Sequence, residues 1–391
     1  MTRPLRLVLL LAVVAAALAG GAYVLTSDSD ERTLDASVAV AEAMAGDTTG
    51  YRRATAVRDF TFPDDHGPHP GYKTEWWYVT GNLDAETGRS LGYELTIFRI
   101  AMTPPDELPI RRASADSVSD WATNQYYMAH LALTDATGQT FYDFERFSRG
   151  AAGLAGAQAS PFRVWLENWS MTGTETDAFP MRLRAQEGDV GIDVTLRPEK
   201  PPVYQGDRGL SQKGPGDGNA SYYYSYTRLA TEGRVRLGAD TLQVTGQSWL
   251  DREWSTSALG SEQEGWDWFA LQLDDGRDLM YYQLRNQDGR PSAFSEGVLV
   301  GPNGEKTTVA REDVTVEVRD RWTTPDGRRT YPVSWRLRVP EQDLDLRIEA
   351  VMSDQELDAS VRYWEGAVRV DGSATGRGYV EMTGYGDADA F

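Results

Sequence analysis

The chain of 391 residues contains no cysteine. That excludes disulfide staples, thiolate nucleophiles and cysteine-ligated metal centres. It also excludes a lipoprotein anchor through a lipobox cysteine. Basic residues are scarce beside acidic ones: 39 Lys and Arg stand against 59 Asp and Glu, for a net charge of −20. No basic stripe of the kind a nucleic-acid binder needs is present. Anionic lipid head groups would repel so acidic a surface. Histidines number only 3, at His66, His69 and His130. Neither a Gly-x-Ser-x-Gly elbow nor a P-loop pattern occurs, so a common α/β serine hydrolase and P-loop nucleotide chemistry are unsupported. Segments such as Asp274-Asp275-Gly276 lack the spacing of a calcium loop and read as hairpin turns. Sustained helical periodicity is hard to find.

What is abundant is aromatic: 12 Trp, 19 Tyr and 11 Phe, a load that suits strands and apolar cavities. Short runs alternate apolar and polar residues as half-buried strands do, for example Met128 to Thr134, Val190 to Leu196, Val333 to Val339 and Leu344 to Ala350. Turn signals such as Asp135-Ala136-Thr137-Gly138 and Gly301-Pro302-Asn303-Gly304 separate them. Many short strands with regular turns predict an all-β sandwich or up-and-down barrel. Glu75 to Arg99 reads as a hairpin, and Gly265 to Arg285 repeats it. Trp76 matches Trp266, Tyr78 matches Trp268 and Leu83 matches Leu273; shortening the loop by two residues then matches Tyr93 with Tyr281. Ordered matches on both arms predict an internal duplication.

Arg3 and Arg6 precede an apolar run from Leu7 to Leu25. Residues 1–25 therefore read as a secretory signal or an uncleaved membrane anchor, and either places the rest of the chain outside the cytoplasm, periplasmic or at the cell surface. The membrane is met only through this segment. Residues 26–59 read as a flexible acidic linker, with a short helix near Ala36 to Ala45. A first β-unit is expected over 60–240 and a second over 241–386, with the boundary set between Thr231 and Gly246.

The densest polar and aromatic cluster is Gln247-Ser248-Trp249-Leu250-Asp251-Arg252-Glu253-Trp254. In an extended strand Trp249, Asp251 and Glu253 share one face, and Arg252 points the other way. Two carboxylates beside tryptophans can have their pKa values driven apart, giving an acid and a base. The plainer reading is that Arg252 pairs a carboxylate and the tryptophans are core. Asp251 and Glu253 are the catalytic candidates; Trp76, Trp77, Trp249, Trp254, Trp266, Trp268 and Tyr281 are the candidate ligand wall. His69, Glu75 and His130 are expected at the pocket mouth. The His66–His69 interval is compatible with a metal, but the flanking prolines favour a loop; neither metal nor cofactor is expected.

His69-Pro70 followed by Glu75-Trp76-Trp77-Tyr78-Val79-Thr80-Gly81-Asn82-Leu83 resembles the opening signature of the hydroxyneurosporene synthase, or carotenoid 1,2-hydratase, family with its AttH-like members. Trp249 to Trp254 with Gly265-Trp266-Asp267-Trp268-Phe269 resembles the second signature of that family. Tyr363-Trp364-Glu365-Gly366 with Gly378 to Tyr385 resembles its C-terminal one. The resemblance implies two tandem lipocalin-like β-barrels. It implies one of three roles: holding a long apolar ligand such as a lipid or isoprenoid, adding water to an isoprenoid double bond, or serving as accessory to a lipid- or lipoprotein-type ABC transporter. Hydratase members carry an Asp-His-Asn-Trp-like stretch; here Asp251 and Trp254 match it, while Arg252 stands at the His position and Glu253 at the amide.

Overall fold

The structure, a computed structural model, describes residues 48–107, 123–256, 260 and 262–386. Residues 1–25, and 26–47 of the expected linker with its short helix, lie outside the described residues. Residues 48–59 are not a free tether. Ala54 is buried, the Tyr51 hydroxyl donates to the Ala101 carbonyl at 2.8 Å, and the Arg52 N–H donates to Gly71 O at 2.8 Å. Acidic composition upstream had masked these few anchoring side chains.

The described residues contain no α-helix. The first half supplies β1 (Thr74–Ala85), β2 (Ser90–Ala101), β3 (Gln125–Asp135), β4 (Thr140–Arg149), β5 (Ala155–Gln158), β6 (Arg163–Leu166) and β7 (Trp169–Thr172). It continues with β8 (Met181–Glu187), β9 (Val190–Pro198), β10 (Val203–Tyr204), β11 (Leu210–Gln212), β12 (Ala220–Leu237) and β13 (Asp240–Ser255). The second half supplies β14 (Gln263–Leu273), β15 (Asp278–Asn286), β16 (Glu296–Val300), β17 (Lys306–Ala310) and β18 (Thr315–Thr323). Then come β19 (Thr330–Val339), β20 (Leu344–Ala350), β21 (Glu356–Leu357), β22 (Tyr363–Gly372) and β23 (Gly376–Met382).

These strands form two curled antiparallel sheets in tandem. The first runs β4-β3-β2-β1-β13-β12-β9-β8-β7-β6-β5 and the second β17-β16-β15-β14-β23-β22-β20-β19-β18. Each sheet curls around its own packed interior. Trp77, Val79, Leu95, Ile97, Trp169, Leu183, Leu196 and Trp254 fill the first. Phe269, Leu271, Tyr281, Trp335, Leu346, Ile348 and Trp364 fill the second. The expected unit boundary at 240/241 falls in the first residues of β13, just past the turn from β12. It moves to the residues after Ser255, because β13 folds back along β12 and pairs with β1 from Thr74↔Ser255 to Ala85↔Val244. Alternation in Thr241 to Ser248 shows a strand but not its partner.

The sheets dock face to face with matching strand orders, so β1 and β14, β2 and β15, β13 and β23, and β12 and β22 occupy equivalent places. Reciprocal contacts fix the equivalence. Asn82 Nδ2 donates to Gly378 O at 3.0 Å, and Gln272 Nε2 donates to Ser248 O at 3.0 Å. Gly92 lies against Ala367, while their counterparts Asp278 and Thr227 are hydrogen-bonded at 2.8 Å. Trp76 and Tyr78 thereby correspond to Trp266 and Trp268. On the return arm the register makes Leu279, not Tyr281, the counterpart of Tyr93: Gly81 faces Tyr93 and Leu271 faces Leu279. The first hairpin is simply longer in both arms, which a shortened loop does not represent.

Docking is tied by charges as well as apolar contact. Asp278, fully buried, takes Lys200 Nζ at 2.6 Å and Arg228 Nη2 at 2.6 Å from the first sheet. Arg228 and Thr227 reach it because the β12–β13 register shifts between Tyr226 and Leu229, and a bulge of this kind re-aims side chains. The close approach at Gly92 is testable. A Cβ built there lies 2.6 Å from Ala367 Cβ. Gly92→Val should lower stability by about 1–3 kcal/mol through overpacking, read as a fall in the urea midpoint with an unchanged slope.

Candidate functional site

Strand alternation sends successive side chains of β1 to opposite faces. Trp77 and Val79 enter the first interior, whereas Trp76 and Tyr78 face the other sheet. The same split holds on β13: Trp254 is core, while Asp251 and Glu253 face across. Between the docked faces lies a cavity of about 210 Å³. Trp76, Tyr78, Phe98 and Tyr223 wall it from the first sheet, and Trp266, Trp268, Tyr282 and Tyr363 from the second. The ring centroids of Tyr78 and its counterpart Trp268 meet edge to face at 5.3 Å. The cavity thus sits on the pseudo-twofold axis, not inside either curled sheet.

Five carboxyl groups project into it: Glu94, Asp251, Glu253, Glu365 and Glu381. Asp251 accepts from Trp249 Nε1 at 2.7 Å, from Ser225 Oγ at 2.5 Å and from the Tyr223 hydroxyl. Burial pushes its carboxyl up to about 7, against the pull of those three donors. Glu381 accepts from Trp266 Nε1 at 2.7 Å, and burial pushes it up to about 8, with Asp251 and Glu253 adding repulsion. By strand register, Glu381 opposite Trp268 is the counterpart of Asp251 opposite Tyr78. Glu365 accepts from the Tyr78 hydroxyl at 2.9 Å. Glu94 and Glu365 are raised well above the usual carboxylate range by burial and then by their acidic neighbours. Lys213 is the one ammonium among the lining side chains, 3.7 Å from Glu253 and 4.0 Å above the Tyr282 ring.

Of the expected ligand wall, Trp76, Trp266 and Trp268 line the cavity, and Trp249 sits behind it against Asp251 and Trp268. Trp77, Trp254 and Tyr281 do not: they belong to the two sheet interiors. Of the expected mouth residues, only His130 lines the cavity, with Nε2 3.0 Å from Glu145. His69 and Glu75 lie on the opposite face of β1 in a buried ionic knot. Glu75 pairs with Arg99 and Arg252, and the His69 N–H donates to it at 2.9 Å. His69 also stacks flat on Trp254 at 3.7 Å and bonds Asp65 at 3.0 Å through Nε2. A one-residue difference in strand parity puts Glu75 beyond reach of the pocket. The same parity turns Arg252 away from Asp251 and toward Glu75. Sequence reasoning missed Glu94, Glu365 and Glu381. The signal was a glutamate at an aromatic, alternating strand position, within the first hairpin for Glu94 and within the quoted C-terminal motifs for Glu365 and Glu381. Among the described residues, no cluster of His, Asp and Glu has the geometry to hold a metal ion.

Two curled antiparallel sheets in tandem, with a carboxyl-rich cavity between them, define a tandem lipocalin-like protein. The chain belongs to the AttH-like family, whose profile matches residues 53–385. It is similar to a solved structure of a protein assigned as AttH from Nitrosomonas europaea, with 32% identity over 85% of this chain and 99% of that one, and a TM-score of 0.74. It also shares its fold with kievitone hydratase from Nectria haematococca, at 16% identity over 86% of this chain and 96% of that one, TM-score 0.62. Comparison with curated proteins finds no significant match.

Glu75→Gln strands two buried guanidinium groups and should cost about 3–5 kcal/mol of stability, measured by denaturant unfolding. The raised carboxyls act through pH. Asp251 and Glu381 hold protons to about 7 and 8 when folded, against 3.8 and 4.5 ordinarily, so the folded state carries extra protons in that window. Stability should therefore fall as pH rises from about 6.5 to 8.5. That range lies above the pH at which His66, pushed down to about 4 by burial, works in the opposite sense. Melting temperature across the range should fall less steeply in Asp251→Asn than in the parent.

Proposed function

We propose that this protein is a hydro-lyase-type enzyme that adds water to a carbon–carbon double bond of an apolar compound held between its two sheets. The observation that carries the reading is Asp251, a carboxyl group raised to about 7 inside an aromatic cavity. Alkene hydration needs a neutral acid near carbon, and burial supplies one at ordinary pH. Asp251 delivers its proton to one alkene carbon, and the π electrons form the new C–H bond. Positive charge develops on the other carbon, where the faces of Trp266, Trp268 and Tyr78 offer cation–π stabilisation. Water adds to that carbon and loses a proton to Glu253, which lies on the same strand face as Asp251. Return of a proton to Asp251 completes the cycle.

The cavity of about 210 Å³ is smaller than pockets that enclose a whole drug-sized molecule, typically about 300–1,000 Å³. A long ligand would place only its reacting end there. The hydratase named among the structural neighbours is a protein of the same fold, which supports the reading at the level of fold. The test is turnover of acyclic carotenes and terpenes, followed by mass gain of one water. Asp251→Asn should reduce turnover by about 10²–10⁴-fold while leaving apolar-ligand affinity nearly unchanged. Activity should fall as pH rises above about 7, where Asp251 loses its proton. Trp268→Ala should weaken binding by roughly 1–3 kcal/mol through lost apolar contact. A protein that binds these compounds but hydrates none, and is indifferent to Asp251→Asn, is a carrier and overturns the enzymatic reading.

A further inference from the structure

Three of the cavity's carboxyl groups have no part in the proton transfers above. Glu365 and Glu381 are direct partners across β22 and β23, and Glu94 meets them from β2 of the other sheet. Glu94 and Glu365 are buried and Glu381 half-buried beside them; Glu381 raises both by repulsion, and Glu94 raises Glu365 further. Elsewhere the protein neutralises its buried acids with cations: Glu75 has Arg99 and Arg252, and Asp278 has Lys200 and Arg228. Among the described residues no guanidinium or ammonium offsets Glu94, Glu365 or Glu381. Glu94, 1% exposed, also lines the cavity with an Oε2 that finds no hydrogen bond of good geometry, Thr96 and the backbone at Ala132 being the donors nearest its carboxyl. An unpaired buried carboxyl oxygen is costly and calls for a partner. Around the trio stand Tyr78, Phe98, Tyr363 and Trp266, whose ring faces attract positive charge.

We propose that Glu94, Glu365 and Glu381 form a seat for an organic cation, so that the natural ligand is an apolar molecule carrying one positively charged nitrogen. This rests on the reading of the inter-sheet cavity as the ligand site, but not on the hydration chemistry. On binding, a carboxyl of the seat releases its proton to solvent, and the nitrogen takes the place that an arginine fills in the ionic knot of Glu75. Its alkyl substituents lie against the aromatic faces, and its apolar body extends along the wall toward Trp268 and Asp251. A free metal ion is a poorer fit, since no metal-ligand geometry is present among the described residues.

Calorimetric titration of the full chain at pH 8 with butyltrimethylammonium and with its neutral isostere 2,2-dimethylhexane tests this directly. The cation should bind more tightly by about tenfold or more, equivalent to about 1.4 kcal/mol. Glu94→Gln and Glu365→Gln should each reduce that preference without weakening the neutral probe. Glutamine matches the shape and neutrality of a protonated glutamic acid, so both variants should melt near the parent, and the neutral probe reports an intact cavity. Equal binding of the two probes overturns the cation seat and leaves the hydratase reading standing, as does a preference that survives both substitutions. Failure of both probes to bind overturns the cavity as a ligand site, and both proposals with it.

Discussion

The face-to-face docking of two curled sheets is the constraint on which everything else depends. A lipocalin-like sheet needs only one apolar face to fold, and here both inner faces are filled by side chains. The outer faces carry Tyr78, Trp249, Trp268, Met280, Ala367 and Tyr379 among their acids, and each sheet is the other's cover. That arrangement explains why β1 and β2 are buried almost without interruption along their length, where a one-sided strand such as β8 alternates strictly. It also explains why the carboxyl-rich cavity lies at the junction. A cavity on a pseudo-twofold axis receives equivalent side chains from both halves, and divergence can then give them different tasks. Asp251 and Glu381 retain a carboxyl at the shared position, whereas Ser225 in one half corresponds to Glu365 in the other.

Two kinds of buried charge coexist within a few residues on the same strands. On the inner face of β1 and β13, Glu75 is satisfied by two guanidinium groups and held well below the usual carboxylate range despite its burial. On the outer face, one residue along, Asp251 has hydrogen-bond donors but no cation and is pushed up to about 7. Desolvation acts on both; the countercharge decides the sign. The knot at Glu75 also fixes Arg252, and through the rigid alternation of β13 it fixes the direction of Asp251. Structure on one face therefore sets the direction of the carboxyl on the other.

The fold class, the tandem arrangement and the matched hairpins were legible because each leaves a periodic mark. Alternation identified Val190 to Leu196 and Leu344 to Ala350 as strands, and the Trp-x-Trp spacing of β14 exposed the repeat. The location of the site was harder to read. In Glu75-Trp76-Trp77-Tyr78 every residue suits a pocket by composition, yet only Trp76 and Tyr78 reach it. Sequence period gives parity but not which parity faces the second sheet. The glutamates of β22 and β23 were hidden for a related reason. A charged residue in a strand ordinarily marks the solvent face, and nothing local says that this face is covered by strands such as β1, whose Tyr78 lies 287 residues from Glu365.

So many acids in one small cavity need a physical reason. Two carboxyls suffice for adding water: one to give a proton and one to take it. Five around a cavity this small cost stability, because burial and mutual repulsion each penalise ionisation. A core built only for packing would replace Glu94 or Glu365 by an apolar residue of similar volume, as the counterpart of Glu94, Met280, already does in the second half. Retaining glutamate there is economical only if something enters the cavity that the acids stabilise. Positive charge is the common denominator. Carbon acquires it transiently when an alkene is protonated, and a nitrogen head group carries it from the outset. The aromatic rings around the acids favour the same sign of charge. Acids and rings therefore select one electrostatic character of guest, and the apolar walls select its body.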